Sequence, residues 1–156
     1  MPLYKQHNFN WEGIPKVEYK PCEPGQPQTF SNTDRQTLVG PGHDTAFHLR
    51  YFECAGGGYS SLEKHHHVHV VVCMRGRGTV VVNNEVYQVE PYDLVVIPSW
   101  AKHQLINNSD TEPFGFFCTV DADRDRYQAL TREEVAEMCK DPAVKAALRI
   151  NEHYWG

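Results

Sequence analysis

The chain has no paired cysteine motif. Its five cysteines are isolated from one another, at Cys22, Cys54, Cys73, Cys118 and Cys139. An odd number of scattered cysteines does not indicate a disulfide framework. It is typical of a protein from a reducing compartment. The sequence also lacks a long apolar run and a start of the signal-peptide kind. It therefore predicts a cytoplasmic protein with no membrane partner.

A basic block is missing as well. Lysine and arginine number 15 against 20 acidic residues, and the formal net charge is −5. Binding to a nucleic-acid backbone needs a patch or stripe of positive charge, so nucleic acid is not an expected partner. The pair Gly76 and Gly78 lies between two strand patterns and precedes no helix that could hold a nucleotide phosphate.

Turns and short β-patterns are what the sequence does contain. Eleven glycines and ten prolines predict many turns between short elements. From Phe47 to Asp121, seven or eight short apolar or alternating segments are separated by turn signals. Asn83-Asn84 joins two of these segments in the manner of a tight hairpin. The pattern is typical of a β-sandwich or β-barrel.

The two ends of the chain differ from this middle part. The first forty residues are proline-rich and polar, which predicts an extended arm with short edge strands near Val17–Lys20 and Thr37–Val39. Near the end, Thr131 and Glu134 form a capping-box pattern for a helix, and Asp141-Pro142 begins a second helix. We predict an arm at residues 1–40, a barrel at 41–125 and a helical tail packed on the barrel at 126–156.

The largest group of potential metal ligands lies in the segment Glu63-Lys64-His65-His66-His67-Val68-His69. Residues two apart on a strand face the same side, but a straight strand would spread these side chains over about 20 Å. A turn at His66 and His67 brings His69 back beside His65. Glu63, His65 and His69 then converge, while the two turn histidines remain outside the set.

His103 is a fourth candidate, because it follows the turn at Pro98 at the start of the next strand pattern. Imidazole nitrogens and carboxylate oxygens bind transition metals at about 2.0–2.2 Å. Glu63 has two possible roles, either as a ligand or as a hydrogen-bond partner that orients a ligand histidine.

These spacings resemble the two motifs of the cupin superfamily. The first motif has the frame Gly57, five residues, Glu63-Lys64-His65, three residues, His69, six residues, Gly76. The second has the frame Tyr92, five residues, Pro98-Ser99-Trp100, two residues, His103, three residues, Asn107. Glutamate and histidine are exchanged at Glu63 and His69 relative to the usual motif, and Tyr92 and Trp100 stand where the family has glycine.

The resemblance implies an all-β, cupin-type β-barrel, the double-stranded β-helix or jelly roll. Its metal ligands would be Glu63, His65, His69 and His103, and Asn107 would make structural hydrogen bonds. We expect one divalent transition metal per chain, and iron, manganese, nickel, copper and zinc all suit this ligand set. The resemblance also implies a homodimer. The unpaired sheet edges of a small barrel favour this, because they can pair with a second chain.

The wall of the cavity is less well defined by the sequence. Phe116 and Cys118 share one face of the last strand and are pocket candidates, although such residues are often plain core. Tyr51 and Trp100 are further candidates, and so is Arg50, because either face of the strand that begins at Phe47 could be the inner one.

The function expected from these features is that of a metalloenzyme acting on a small organic substrate or ligand inside the barrel. An oxygenase-like reaction on an enol, a catechol or a similar chelating molecule is the leading form. A non-redox isomerase or lyase is the alternative, and it needs a protein base such as Glu63 or Tyr51. A non-catalytic binding or sensing module and a metal-free barrel are the remaining hypotheses. No residue is assigned a catalytic role.

Overall fold

The structure is a computed structural model that describes residues 3–21, 24 and 28–150. Within these ranges the chain forms thirteen β-strands and two α-helices. Their bounds are β1 Gln6–His7, β2 Asn10–Trp11, β3 Val17–Glu18, β4 Ser31–Val39, β5 Phe47–Tyr59, β6 Glu63–Lys64, β7 His69–Arg75, β8 Gly78–Val82, β9 Glu85–Val89, β10 Leu94–Ile97, β11 His103–Ile106, β12 Phe114–Asp121, β13 Gln128–Ala129, α1 Arg132–Met138 and α2 Pro142–Ala147.

The main sheet is antiparallel and curls on itself. One run of neighbouring strands is β3, β4, β5, β12, β7 and β10, and a second run is β9, β8 and β11. The strand β11 also pairs with β5 and β6, so the two runs are continuous. β1 and β2 form a separate two-stranded sheet. This architecture confirms the expected all-β barrel of the jelly-roll kind.

The long strand β5 joins the two runs. Its first part, from Phe47 to Cys54, pairs with β12, whereas Tyr59 at its end lies opposite Ile106 of β11. Between these parts Gly57 has a φ of +67°, which glycine adopts without steric cost. Asn107 supports the bend, because its Nδ2 donates to the carbonyl oxygen of Cys54 at 3.0 Å. The structural hydrogen bonds expected of Asn107 are therefore confirmed.

The N-terminal region contains more regular structure than an extended arm. The edge strand near Val17 is present as β3, but β4 spans nine residues and pairs with β5 along most of its length. The buried residues of β4 are Thr33, Gln36 and Leu38, of which only the last two have the two-residue spacing of one strand face. Seven of its nine residues are polar, so apolar alternation predicts only its last part, near Thr37–Val39.

The turn and helix predictions agree with the structure. β8 and β9 are joined at Asn83, whose φ is +53°. Thr131 and Glu134 form the capping box that begins α1, and Asp141 caps α2 with Pro142 at its first turn. The sequence predicts helix ends at Lys140 and about Leu148, whereas α1 ends at Met138 and α2 at Ala147. No helix in the described part of the chain is long and apolar enough to cross a bilayer.

Two apolar clusters stabilise the fold. The larger lies within the barrel and contains residues of both strand runs, including Phe52, Val80 and Phe114. The smaller joins the helical tail to the outside of β8 and β11, and its members are Leu62, Val81, Ile106, Leu130, Val135, Met138, Val144 and Leu148. Burying one side chain of this size contributes about 1.5–3 kcal/mol, so this cluster holds the tail on the second run of strands.

Two turns have backbone conformations that usually require glycine. Tyr92 has a φ of +78° and Trp100 a φ of +63°. These are the two positions at which the cupin motif has glycine. Trp100 donates its backbone N–H to the carbonyl oxygen of His65 at 2.7 Å, so the turn before β11 is tied to the histidine segment. The conformation of the motif is kept although the glycines are absent.

Candidate metal and substrate site

Three histidines meet at one end of the barrel interior. His65 follows β6, His69 begins β7 and His103 begins β11, and one ligand atom from each lies within 4.8 Å of those of the other two. His103 lies opposite Glu63 in the ladder between β11 and β6. The turn at His66 and His67 therefore brings together residues that a straight strand would separate.

The hydrogen bonds of two of these rings leave one nitrogen of each free to bind a metal. Nδ1 of His65 donates to the carbonyl oxygen of His67 at 2.8 Å, and Nδ1 of His103 donates to that of Ala101 at 2.9 Å. The Nε2 atoms therefore carry the lone pairs. Nε2 of His65 is buried and has no hydrogen-bond partner among the described residues. A buried orphan nitrogen of this kind fits a metal ligand.

Burial keeps these imidazoles neutral. It lowers the pKa of His65 to about 4, and nearby His103 and His67 add to the effect. The pKa of His69 is lowered well below its ordinary value by burial first and by His103 next. Burial also lowers the pKa of His103, although the carboxylate of Glu63 opposes it. Neutral rings are the form that binds a metal ion.

Glu63 lies beside the histidine cluster and is paired with a lysine. Its Oε1 is 3.9 Å from Nε2 of His65 and 4.0 Å from Nε2 of His103. Two atoms that bind one ion at about 2.1 Å lie roughly 3–4.2 Å apart, so these distances suit a shared ion. Its other oxygen, Oε2, accepts a hydrogen bond from Nζ of Lys20.

His67 is buried, although the sequence pattern leaves it in the turn, outside the converging set. Its Nδ1 donates to Oδ1 of Asp125 at 2.7 Å, and its Nε2 lies 3.3 Å from Nε2 of His69. The backbone N–H groups of His66 and His67 also donate to Asp125. These bonds, that of His66 foremost, hold the pKa of Asp125 below its usual range. The turn is thus anchored by Asp125, and only His66 is exposed.

A cavity of about 220 Å³ opens beside the histidines. This volume is below the usual range of ligand pockets, about 300–1,000 Å³, which limits the cavity to a small molecule. Its lining comes from four parts of the chain: Tyr19, Lys20, Pro21, Arg35, Arg50, Phe52, Ser60, Glu63, His67, His69, His103, Leu105, Phe116, Cys118, Arg124, Asp125, Arg126 and Tyr127.

The thiol of Cys118 lies between the histidine cluster and an arginine. Its Sγ is 3.4 Å from Nδ1 of His69 and accepts a hydrogen bond from Nη2 of Arg50 at 3.3 Å. Burial raises the pKa of this thiol, and the charge and hydrogen bond of Arg50 act in the opposite direction. Cys118 and Arg50 are cross-strand neighbours in the ladder between β12 and β5.

The four pocket candidates divide into two pairs. Phe116 and Cys118 line the cavity. Tyr51 does not, because it points to the opposite side of β5, where its ring packs against Phe9 and Trp11 and its hydroxyl donates to Glu53. Trp100 is also outside the lining, at the exposed turn before β11. Of the alternatives left open on β5, Arg50 faces inward and Tyr51 outward.

Several residues of the cavity are not indicated by any local pattern in the sequence. Lys20 and Arg35 belong to the region expected to be an arm, and Arg124 and Asp125 follow the last long strand. Each reaches the cavity through pairing between distant parts of the chain. No local pattern indicates this, because Arg35 and Arg124 are far apart in the sequence.

Fold and site together define a small barrel with a buried histidine cluster, and comparison with known proteins identifies its class. A family model described as Cupin domain matches residues 50–120. The chain belongs to the cupin superfamily. It is 41% identical over 143 residues to 1-methylthio-D-xylulose 5-phosphate methylsulfurylase of Rhodospirillum rubrum, which covers 92% of this chain and 88% of that protein.

Solved structures agree with this assignment. A cupin-2 domain protein from Rhodospirillum rubrum is 38% identical with a TM-score of 0.80, over 94% of this chain and 93% of that one. A cupin 2 conserved barrel domain protein from Rhodopseudomonas palustris is 36% identical with a TM-score of 0.84, over 94% of this chain and 99% of that one.

Proposed function

We propose that this chain is a metal-dependent enzyme that removes a methylthio group from a phosphorylated ketose. The observation that carries the proposal is the position of Cys118, whose thiol lies 3.4 Å from His69 of the histidine cluster inside the small cavity. The name of the Rhodospirillum rubrum relative, which is 41% identical along most of this chain, supports this substrate class.

In this proposal His65, His69, His103 and Glu63 hold one divalent transition metal. Such a metal supplies Lewis-acid chemistry, because it withdraws electron density from a ketose carbonyl and stabilises negative charge next to it. The carbonyl oxygens of His67 and Ala101 orient His65 and His103 by accepting hydrogen bonds from their Nδ1 atoms. The side chains of Cys118 and His103 are shielded from solvent, since each residue is only 2% exposed.

The thiol of Cys118 accepts the methylthio group. A sulfur–sulfur bond forms between Sγ and the substrate sulfur, and the bond from that sulfur to C1 of the ketose breaks. The electron pair stays on the sugar as an enolate of the adjacent C2 carbonyl, and C1 gains a proton. The cysteine is thereby oxidised to a mixed disulfide, and the sugar carbon is reduced to a methyl group. Arg50 favours the attacking thiolate through its hydrogen bond to Sγ.

A low-molecular-weight thiol from solution completes the turnover. It attacks the mixed disulfide, takes up the methylthio group and restores Cys118. Overall, one external thiol and one methylthio ketose become one methyl disulfide and one 1-deoxy ketose. The hydrogen lost by the thiol balances the proton gained at C1.

The test is a turnover assay with a 1-methylthio ketose 5-phosphate, a small thiol and protein loaded with manganese or iron(II). The wild type should release the 1-deoxy ketose phosphate. Cys118→Ala should retain its metal but lose activity by at least about 100-fold. Cys73→Ala is the matched control, because Cys73 is equally buried but does not line the cavity. Without external thiol, mass spectrometry should find one methylthio group on Cys118.

Oxygen uptake is measured in the same assay. Metal-dependent uptake without methylthio release would favour the oxygenase-like reaction considered from the sequence. Isomerisation or lysis of the ketose phosphate with its methylthio group intact would favour the non-redox alternative. Binding without any turnover would favour a sensing module.

A further inference from the structure

Three arginines form a second chemical feature of the cavity, separate from the histidines. We define the arginine cluster as Arg35 of β4, Arg50 of β5 and Arg124 after β12, all of which line the cavity. In the ladder between β4 and β5, Arg35 lies opposite Phe52, two residues from Arg50. The side chains of Arg50 and Phe52 thus share the inner face, and Arg35 reaches the cavity beside them.

No ion pair within the described part of the chain neutralises the positive charge of the arginine cluster. Within the described residues, no carboxylate lies within ion-pairing distance of any of the three guanidinium groups. Arginines outside the cavity do have such partners, since Arg75 pairs with Glu53 at 3.0 Å and Arg77 with Glu90 at 3.2 Å. The chain as a whole has five more acidic than basic residues, so acidic partners are not scarce.

Hydrogen bonds also leave donors of the cluster unused. The Nε atoms of Arg35 and Arg50 are buried and have no partner in the described structure. Arg124 is held in place by the carbonyl oxygen of Asp121, to which its Nη1 donates at 2.8 Å. Burial lowers the pKa of Arg35 and Arg124, and repulsion from Arg50 lowers both further. The three guanidinium groups thus lie close together despite their mutual repulsion, and two of them have unused donors. Such an arrangement is suited to binding an anion.

We infer that the arginine cluster binds the phosphate of the substrate, and that the cavity therefore selects phosphate monoesters. Guanidinium groups bind phosphate through paired N–H donors. Arg50 connects the arginine cluster with the thiol, because its Nη2 donates to Sγ of Cys118. Its Nε has no hydrogen-bond partner in the described structure and is available to an anion. This inference rests on the proposed function for the identity of the substrate, but its test does not require turnover.

The experiment is calorimetric binding of inorganic phosphate and of a ketose 5-phosphate, compared with the same sugar without phosphate. The metal-loaded wild type should bind the first two and not the third. Arg35→Gln and Arg124→Gln should each weaken phosphate binding by at least about tenfold, with metal content and thermal midpoint unchanged. Arg35→Lys, which keeps the charge, should recover part of the affinity. Arg77→Gln, on the outer surface, is the control.

The outcomes separate this inference from the proposed function. Unchanged phosphate affinity in folded Arg35→Gln and Arg124→Gln would overturn the subsite, even if the enzyme transfers methylthio groups. Equal binding of the sugar with and without phosphate would overturn it as well. Loss of phosphate affinity in both variants would support the subsite, even if no methylthio transfer is found.

Discussion

Oε1 of Glu63 lies 3.9 Å from Nε2 of His65, while the other oxygen of the same carboxylate is bonded to Lys20. The carboxylate thus has one oxygen toward the histidine cluster and one toward a cation. This arrangement allows Glu63 to bind a metal without giving up Lys20. Lys20 thus gives this buried side chain a cation partner.

Replacing Glu63 tests whether it is a metal ligand. Glu63→Gln keeps the shape of the side chain but removes its charge, so we expect metal affinity to fall by about 10- to 100-fold. The measurement is a competition titration with a metal chelator. His67→Asn is the comparison, because His67 also reaches the cavity. A larger loss for His67→Asn than for Glu63→Gln would make His67 the fourth ligand instead.

The histidine cluster predicts a stoichiometry that elemental analysis can measure. Untagged protein purified without a nickel column should contain about one transition metal ion per chain. His103→Ala should lose it, because His103 is the member of the cluster that lies outside the histidine run. His66→Ala should keep it, since His66 is exposed. Equal metal content in the wild type and His103→Ala would mean that the histidine run binds ions by itself.

Local spacing predicts only part of the histidine cluster. Strand parity and one turn restrict which side chains share a face and so group His65 with His69, whereas His103 joins them through the resemblance to the second cupin motif. The hairpin at Asn83 and the caps at Thr131 and Asp141 were predictable from local spacing. Each depends on residues within a few positions of one another.

Other parts of the site depend on contacts that no local pattern contains. Arg35 and Arg124 reach the cavity only through the pairing of β4 with β5 and of β5 with β12. The choice between Arg50 and Tyr51 also could not be made, because both faces of β5 are covered. Tyr51 packs under the β1–β2 sheet through Trp11 at a ring distance of 5.0 Å. With both faces buried, alternation does not distinguish the inner from the outer one.

The expected homodimer has a candidate surface on β10. This strand ends the main sheet and pairs only with β7 in the described chain. Leu94 and Val96 are exposed on it, next to Val70 across the ladder. Exposed apolar side chains at an open sheet edge favour pairing with a second copy.

We therefore expect Leu94→Lys with Val96→Lys to convert a dimer into a monomer, as measured by light scattering. Metal content should stay unchanged, because these side chains point away from the cavity. Val17→Lys on the edge strand β3 is the control, since Val17 is also an exposed valine. A wild-type protein that is monomeric at high concentration would contradict the expectation.

Tyr92 allows a test of the backbone conformation itself. Its φ of +78° costs a residue with a Cβ roughly 1–2 kcal/mol, and its side chain is 81% exposed, so little packing offsets that cost. Glycine removes the steric cost but loses more entropy on folding, by roughly 0.5–1 kcal/mol. We expect Tyr92→Gly to stabilise the fold by about 0.5–1 kcal/mol, which corresponds to a rise of roughly 1–4 °C in the thermal midpoint.

The matched control for that substitution is Tyr87→Gly. Tyr87 is an exposed tyrosine at 42%, but it lies within β9 and is not among the residues with positive φ. Glycine at an extended strand position gains nothing from conformational freedom and weakens the strand. The midpoint should therefore fall for Tyr87→Gly while it rises for Tyr92→Gly. A fall in both would mean that the Tyr92 side chain stabilises the turn by more than the left-handed conformation costs.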